Sequence, residues 1–411
     1  MLQMALNDAV VHFIKESYEL PEIADNPTCY IYDLEEINKN IALIESHAPS
    51  QLSLYYAMKA NNNPAIMKYI AQQKFLKGIE IASIGELEQS LKYVDASQII
   101  FTGPGKTEKE LEASIKNNIR LINVESITEA VRINDIADRL NISRVDIILR
   151  INVNHYIDDA QEYMAGLSTK MGIDEDQYLQ CYQAIIELKR IHIRGIHVFS
   201  ASGVLDYKSL IKSARYVFNL VSRLEKSTAP IEIIDFGGGI GIDYSNNNQL
   251  FDIKNYFKDL KLLLKQYNFY NKELIIELGT YLVGNAGYYS SEIIDIKEVK
   301  GYKHVIIAGG INHMGLPFEM KRKHPLHIIP MGVPKLYENQ PFVCNELADI
   351  SGPLCMVSDK LSWDEYINRA EIGDIVVYKQ AGAYCYGLGM LDFLSHPRPE
   401  ELIIQNNANK K

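Results

Sequence analysis

Lys59 stands at the end of an apolar stretch, in the run Tyr55-Tyr56-Ala57-Met58-Lys59-Ala60-Asn61. An amine held there and partly buried is biased toward the neutral form that attacks a carbonyl carbon. A lysine that merely snorkels out of a strand end has the same local sequence. The run Asp235-Phe236-Gly237-Gly238-Gly239-Ile240-Gly241 offers a complementary group. Glycines after a strand let backbone N–H groups approach a phosphate with no side chain in the way, although a plain turn uses them too. The spacing is not G-x-G-x-x-G, which disfavours a dinucleotide fold. Gly103-Pro104-Gly105-Lys106-Thr107 ends like a P-loop, but Ile100 occupies the first glycine's place and the Walker reading fails. Glu277 closes another apolar run, where an ionised carboxylate needs a partner. Cys355, in Ser351-Gly352-Pro353-Leu354-Cys355, sits in a turn-like context, either as an acid or as a small buried hydrophobe.

These groups need a scaffold that brings distant positions together. Short β-branched or apolar runs recur at Leu52–Met58, Gly78–Ser83, Ile99–Gly103, Leu121–Glu125, Val145–Val153, Ile193–Ser200, Ile231–Gly237 and Glu273–Gly279. Each of the first seven precedes a segment of helical periodicity, such as Thr107–Asn118, Ile127–Leu140 or Tyr207–Lys226. Alternating strands and helices imply parallel pairing with right-handed crossovers. Eight such strands in about 250 residues suit an α/β fold of the (β/α)8 TIM-barrel type. Reactive groups in such barrels sit at the C-terminal strand ends. Lys59, Arg150, His197, Gly237–Gly239 and Glu277 all fall at or near those ends. After Glu277 the texture changes to strands and turns, with Tyr288–Val299, His304–Ala308 and Ile375–Tyr378 the clearest strands. The expected division is a barrel over residues 34–276 and a β-rich domain made from 1–33 and 277–411, to which Thr28–Tyr32 adds a strand. Val10, Val11 and Ile14 share one face of a short N-terminal helix.

With 47% hydrophobic and 23% charged residues, the 411-residue chain has the balance of a soluble globular protein of about two or three domains. A net charge of −10 repels phosphate backbones and anionic lipid, so neither nucleic acid nor a membrane surface is an expected partner. No apolar run approaches the roughly 18 residues of a spanning helix, and the N-terminus lacks the pattern of a signal peptide. Five widely spaced cysteines with no C-x-x-C point to a reducing cytoplasm and away from a disulfide framework or zinc knuckle. No metal site is expected.

Taken in order, these motifs resemble those of the alanine-racemase-fold decarboxylases that use pyridoxal 5′-phosphate (PLP), the family of diaminopimelate, ornithine and arginine decarboxylases. The resemblance runs from about Cys29 to Glu401. Tyr56–Asn61 matches the family's cofactor-lysine motif, and Gly237, Gly238 and Gly239 match its phosphate loop. Glu277-Leu278-Gly279 resembles the segment whose glutamate bonds the pyridine nitrogen. Gly352–Cys355 matches the loop whose cysteine enters the partner subunit's site, and Ala381-Gly382-Ala383-Tyr384 the loop whose tyrosine touches the phosphate. The resemblance implies that Lys59 holds PLP as a Schiff base, with His197 among the residues around the cofactor. It also implies loss of an amino acid's α-carboxylate, Cys355 as candidate proton donor, and a homodimer with shared active sites.

Departures from the family pattern narrow the substrate. Phe199 stands where a histidine usually stacks on the cofactor ring, while Ser202 keeps the place of a phosphate-contacting serine. Thr280 replaces a phosphate-binding arginine, and Leu316 falls near the place of a substrate-side arginine. Met356 replaces the acid that follows the cysteine in diaminopimelate and ornithine enzymes. A distal ammonium left without that acid would be costly to bury. Lys321-Arg322-Lys323-His324 offers positive charge suited to a distal carboxylate instead, or is simply a solvated loop. The substrate-side candidates are Arg322, His324, Cys355, Met356, Asp359 and Tyr384. Tyr55–Asn61, Gly103–Thr107, Gly237–Gly241 and Phe393–Pro397 most resemble the siderophore-pathway branch, which includes a decarboxylase of a citryl-diaminopropionate conjugate. The expected activity is therefore decarboxylation of a conjugated or carboxylate-bearing amino acid. Three rivals stand beside it: a diaminopimelate, ornithine or lysine decarboxylase in which Asp359 takes the missing acid's role, a racemase, and a non-catalytic regulatory relative.

Overall fold

The computed structural model describes residues 6–157, 162–245, 249–321 and 323–404. The chain divides into two compact units: Asn40–Ile242 with Leu250–Leu282, and Met1–Lys39 with Asp243–Gln249 and Val283–Lys411. The strands used below are, in chain order, β1 (Thr28–Asp33), β2 (Leu52–Ala57), β3 (Leu76–Ile81), β4 (Ile99–Phe101), β5 (Leu121–Val124), β6 (Val145–Asn152), β7 (Ile191–His197), β8 (Ile233–Asp235) and β9 (Glu273–Leu278). They are followed by β10 (Gly287–Val299), β11 (Tyr302–Ile307), β12 (Leu326–Ile329), β13 (Val343–Ser351), β14 (Lys360–Ala370), β15 (Ile375–Tyr378) and β16 (Glu400–Ile404).

In the first unit β2 to β9 pair in sequence, all parallel, and β9 pairs back to β2. The eight apolar runs read from the sequence are these eight strands. A parallel strand covered on both faces needs no polar alternation, and Leu52–Ala57 is buried at every position. The crossover helices begin at side-chain caps: Asn63, Ser83, Thr107, Ser126, Asp206 and Asp252 each accept a backbone N–H of the first turn. Tyr55, Ile100, Leu121, Ile148, Ile233 and Ile275 form one buried cluster. Each lies N-terminal to a polar residue on its strand or just past its end, so the barrel interior is packed with apolar groups and chemistry is left to the far rim.

In the second unit the sheet runs β12-β15-β10-β11-β13-β14, with β1 antiparallel to β10 and parallel to β16. The expected strands at Tyr288–Val299, His304–Ala308 and Ile375–Tyr378 are present, and the Thr28–Tyr32 segment does join them. The helix Asp8–Ser17 buries Val10 and Ile14 against Ile31, Ile375 and Val377. Among the described residues no helix is long and apolar enough to cross a membrane.

Candidate active site

Strand register sets the polar residues in rows. Arg150 of β6 pairs with His197 of β7, and His197 pairs with Asp235 of β8. Paired residues project to the same face, so all three enter the barrel. Asp235 pairs with Ile275, and Glu277 lies two residues further along β9, on that face again. The result is a cluster of His197, Asp235 and Glu277, with one ligand atom of each within 4.8 Å of the others. All three side chains are buried.

Asn123 fixes the imidazole. Its Nδ2 donates to His197 Nδ1 (3.1 Å), which leaves the ring proton on Nε2, 4.0 Å from Glu277 Oε2. Burial, then the charges of Arg150, Lys59 and Lys106, push His197 well below the usual histidine range, so the ring is neutral near pH 7. The carboxyls move the other way. Burial holds Glu277 well above the usual carboxylate range, reinforced by Asp235 and Glu80 and opposed by Lys59. Burial raises Asp235 likewise, against the hydrogen bond its Oδ1 accepts from the Gly237 N–H (2.8 Å). Among the described residues, Glu277 Oε1, Asp235 Oδ2 and His197 Nε2 are buried and make no hydrogen bond of ordinary geometry. Such a set suits a cationic or proton-bearing ring nitrogen.

Lys59 occupies the turn Met58–Ala60 directly after β2, with Nζ 3.2–3.3 Å from the two oxygens of Glu80 on β3. Glu80 is fully buried, and the Thr102 hydroxyl also donates to it. Gly279 lets the end of β9 approach this turn, since a Cβ there would lie 2.6 Å from that of Ala60. The glycine run follows β8. Gly237 and Gly239 have φ of +60° and +111°, values that favour glycine, and a Cβ on Gly238 would lie 2.4 Å from the Glu277 carbonyl oxygen. The run is therefore bare backbone beside the acidic cluster. The Phe199 ring packs on it, 2.8 Å from where a Gly237 Cβ would stand. Ser202 lies in a two-residue strand, Ala201–Ser202, paired with Glu162–Tyr163, and Thr280 opens the short helix Thr280–Val283.

An aldehyde-bearing pyridine phosphate fits these residues. The amine of Lys59 suits its aldehyde, the unmet oxygen of Glu277 suits its ring nitrogen, and the bare glycine backbone suits its phosphate. Sequence reasoning gave no role to Glu80, Asn123, Asp235 or Thr102. The available signal was an acid or amide at the inward position of a strand otherwise apolar, as in Gly78-Ile79-Glu80-Ile81. Lys106, the P-loop decoy, is a structural cation. Its Nζ donates to Gly103 O, Asn123 O and Glu129 Oε1, each at 2.7 Å. Arg150 is likewise buried against Glu125 (3.1 Å).

The remaining candidates belong to the second unit. Cys355 is exposed, Met356 half-buried, and Val357 is 93% exposed at the same loop tip. Asp359 is 1% exposed, and its two oxygens accept the N–H groups of Ile311 and Leu354, each at 2.8 Å. His324 is buried, with Nδ1 3.1 Å from Lys379 O and its ring edge-on to Tyr244. Lys323 pairs with Glu365 (3.7 Å) and lies over Trp363, while Arg322 falls outside the described residues. Tyr384 is half-buried at φ +63°.

The profile of the pyridoxal-dependent decarboxylase family's pyridoxal-binding domain matches residues 34–284. This chain belongs to the pyridoxal-dependent decarboxylases. Its fold is the (β/α)8 barrel with a β domain, its cofactor is PLP, and it is a carboxy-lyase by family. It is 33% identical to the 2-[(L-alanin-3-ylcarbamoyl)methyl]-2-hydroxybutanedioate decarboxylase of Staphylococcus aureus, over 91% of this chain and 94% of that one. Identity to the L-glutamyl-[BtrI acyl-carrier protein] decarboxylase of Niallia circulans is 29%, over 98% and 93%. Among solved structures, the diaminopimelate decarboxylase of Methanocaldococcus jannaschii with L-lysine superposes with a TM-score of 0.82 at 27% identity, over 95% of this chain and 89% of that one.

Proposed function

We propose that this decarboxylase acts on an amino acid whose side chain ends in carboxylates or in a conjugated group, rather than on a free diamino acid. The observation that carries this is the state of the Cys355 loop. A distal ammonium needs a carboxylate partner, and Met356 provides none. The next acid, Asp359, has both oxygens engaged by backbone amides of Ile311 and Leu354, which makes it a brace for the loop. The Staphylococcus aureus and Niallia circulans relatives support the same direction. One is named for an alanine joined through an amide to a hydroxybutanedioate, the other for a carrier-bound glutamyl group.

In this reading Lys59, Glu277 and Gly237–Gly239 hold PLP, which when bound supplies an electron sink for the bond that loses CO2. Glu277, whose carboxyl burial holds well above the usual carboxylate range, would meet the ring nitrogen through its unmet oxygen. His197, neutral and held by Asn123, borders that nitrogen's place without adding a charge. Phe199 offers a ring face, and Thr280 one hydroxyl in place of a guanidinium. Cys355, exposed beside the exposed Val357, is the proton donor offered to the site of a second copy, and the functional unit is a cytoplasmic homodimer with shared sites. The test is mass spectrometry of CO2-loss products after incubation with free lysine, ornithine and diaminopimelate and with citrate-linked diaminopropionate. Preferential turnover of the conjugate is expected; faster turnover of any free diamino acid overturns the reading.

A further inference from the structure

We propose that Glu80, braced by Thr102, is the counter-ion that receives the amine of Lys59 whenever that amine is not bonded to a carbonyl carbon, and so decides when it is a nucleophile. The inference rests on Lys59 being the cofactor's anchor. Glu80 is fully buried, both of its oxygens lie 3.2–3.3 Å from Nζ, and its other hydrogen bond is the one from Thr102. Without Lys59 this buried carboxylate would be left with one hydroxyl and no contacting cation among the described residues. Glu80 and Lys59 stand on adjacent parallel strands, at the inward end of β3 and just past the end of β2. The register pairs Glu80 with Ala57, two residues before the lysine.

The groups that face Nζ set the direction of the effect. Glu80 comes from β3, Glu86 from the helix Ile84–Ser90 that follows it, Glu277 from β9 and His197 from β7. Burial disfavours the charged form of both His197 and Glu277, which weakens their competition for the ammonium. Glu86 caps Ala82 N–H with one oxygen (2.6 Å) and is raised to about 7 by burial and then by the charge of Glu80. Among the described residues, Glu80 is the carboxylate shown in contact with Nζ. An ammonium released by an incoming substrate amine would be held by this pair and kept from attacking again. For attack on a carbonyl carbon, the ammonium proton leaves Nζ for water, the nitrogen lone pair forms the new C–N bond as the C=O π pair moves onto oxygen, and that oxygen departs as water when the imine closes. That loss is harder the closer the counter-ion.

Glu80→Gln keeps the shape and the hydrogen bond from Thr102 but removes the charge. The test is the pH dependence of Lys59 acetylation by acetic anhydride in the cofactor-free protein, read by peptide mass spectrometry. Removing an opposite charge in contact is expected to lower the labelling midpoint by about 1–3 pH units, with Glu80→Asp staying nearer the parent and Thr102→Val between the two. In the loaded enzyme, Glu80→Gln should take up PLP over a wider acidic range while kcat falls. A labelling midpoint that is unchanged or raised in Glu80→Gln overturns the proposal. If that variant does not fold, an unchanged midpoint in Thr102→Val does so. A parent protein that labels as described but takes up no PLP would instead refute the role of Lys59 and leave the ion pair standing.

Discussion

Replacing Lys106 by methionine tests whether the P-loop-like run is a buried brace of the barrel. The side chain of Lys106 is 1% exposed and that of Glu129 3%, and the ammonium is met by two carbonyl oxygens and one carboxylate oxygen at 2.7 Å. Methionine fills most of the volume but, among the described residues, leaves the Glu129 carboxylate with only the N–H of Glu125 (2.9 Å). Breaking one side of a buried pair costs about 3–5 kcal/mol. For a unit of this size that is a fall of roughly 10 °C in melting temperature. The double variant Lys106→Met/Glu129→Gln removes the stranded charge while keeping an acceptor for Glu125 N–H. It is expected to recover about 2 kcal/mol or more relative to the sum of the single changes. Because Lys106 also binds Asn123 O, and the Asn123 side chain orients His197, PLP affinity should weaken in the single variant as well. Urea and thermal melts of the three variants, each with and without PLP, measure this. A single-variant cost below about 1 kcal/mol, or a melting temperature of the parent raised by ATP, would refute the reasoning.

Gly238→Ala should lower PLP affinity by tenfold or more and also destabilise the fold, because its Cβ would push against backbone, the Glu277 carbonyl oxygen, at 2.4 Å; equilibrium dialysis and a thermal melt check it. For Asp235 the sign follows from burial, which pushes its carboxyl up to about 7. The folded protein holds that proton more tightly than the unfolded chain does, so the carboxyl favours folding at low pH and this is lost as pH rises toward 7. The stability of Asp235→Asn minus that of the PLP-free parent should therefore grow between about pH 4 and about pH 7, by up to about 1.4 kcal/mol for each pH step of one. A flat difference would show the carboxyl to be unperturbed. Cys355→Ala should keep bound PLP and lose about 10²–10⁴-fold in turnover, the usual worth of a positioned acid. Mixing it with Lys59→Ala should restore part of the activity only where sites are shared between copies.

Much of the fold was legible because parallel barrel strands are continuous apolar runs, and their spacing by helical segments leaves few other topologies. The rim residues Lys59 and Glu277 were legible because each terminates such a run. Glu80 was not, because a single acid inside Leu76–Ile81 gives no hint of which strand it faces; register with β2 decides that. Asn123 and Asp235 were hidden for the same reason, since each becomes part of the site only through side chains on neighbouring strands. Lys106 shows the converse. Its local sequence suggested phosphate chemistry that the spacing already denied, and its three partners are 3, 17 and 23 residues away along the chain. Asp359 looked available as a replacement acid from its spacing alone, because the chain does not announce that its two oxygens accept the N–H groups of Leu354, in its own loop, and of Ile311, 48 residues away.

The most direct measurement is borohydride reduction of the purified yellow protein, followed by peptide mapping. One pyridoxyl group per chain on the peptide carrying Lys59 is expected, with none in the Lys59→Ala variant. A label on a different lysine, or a protein that takes up no PLP at all, contradicts the assignment of this amine as the cofactor's anchor.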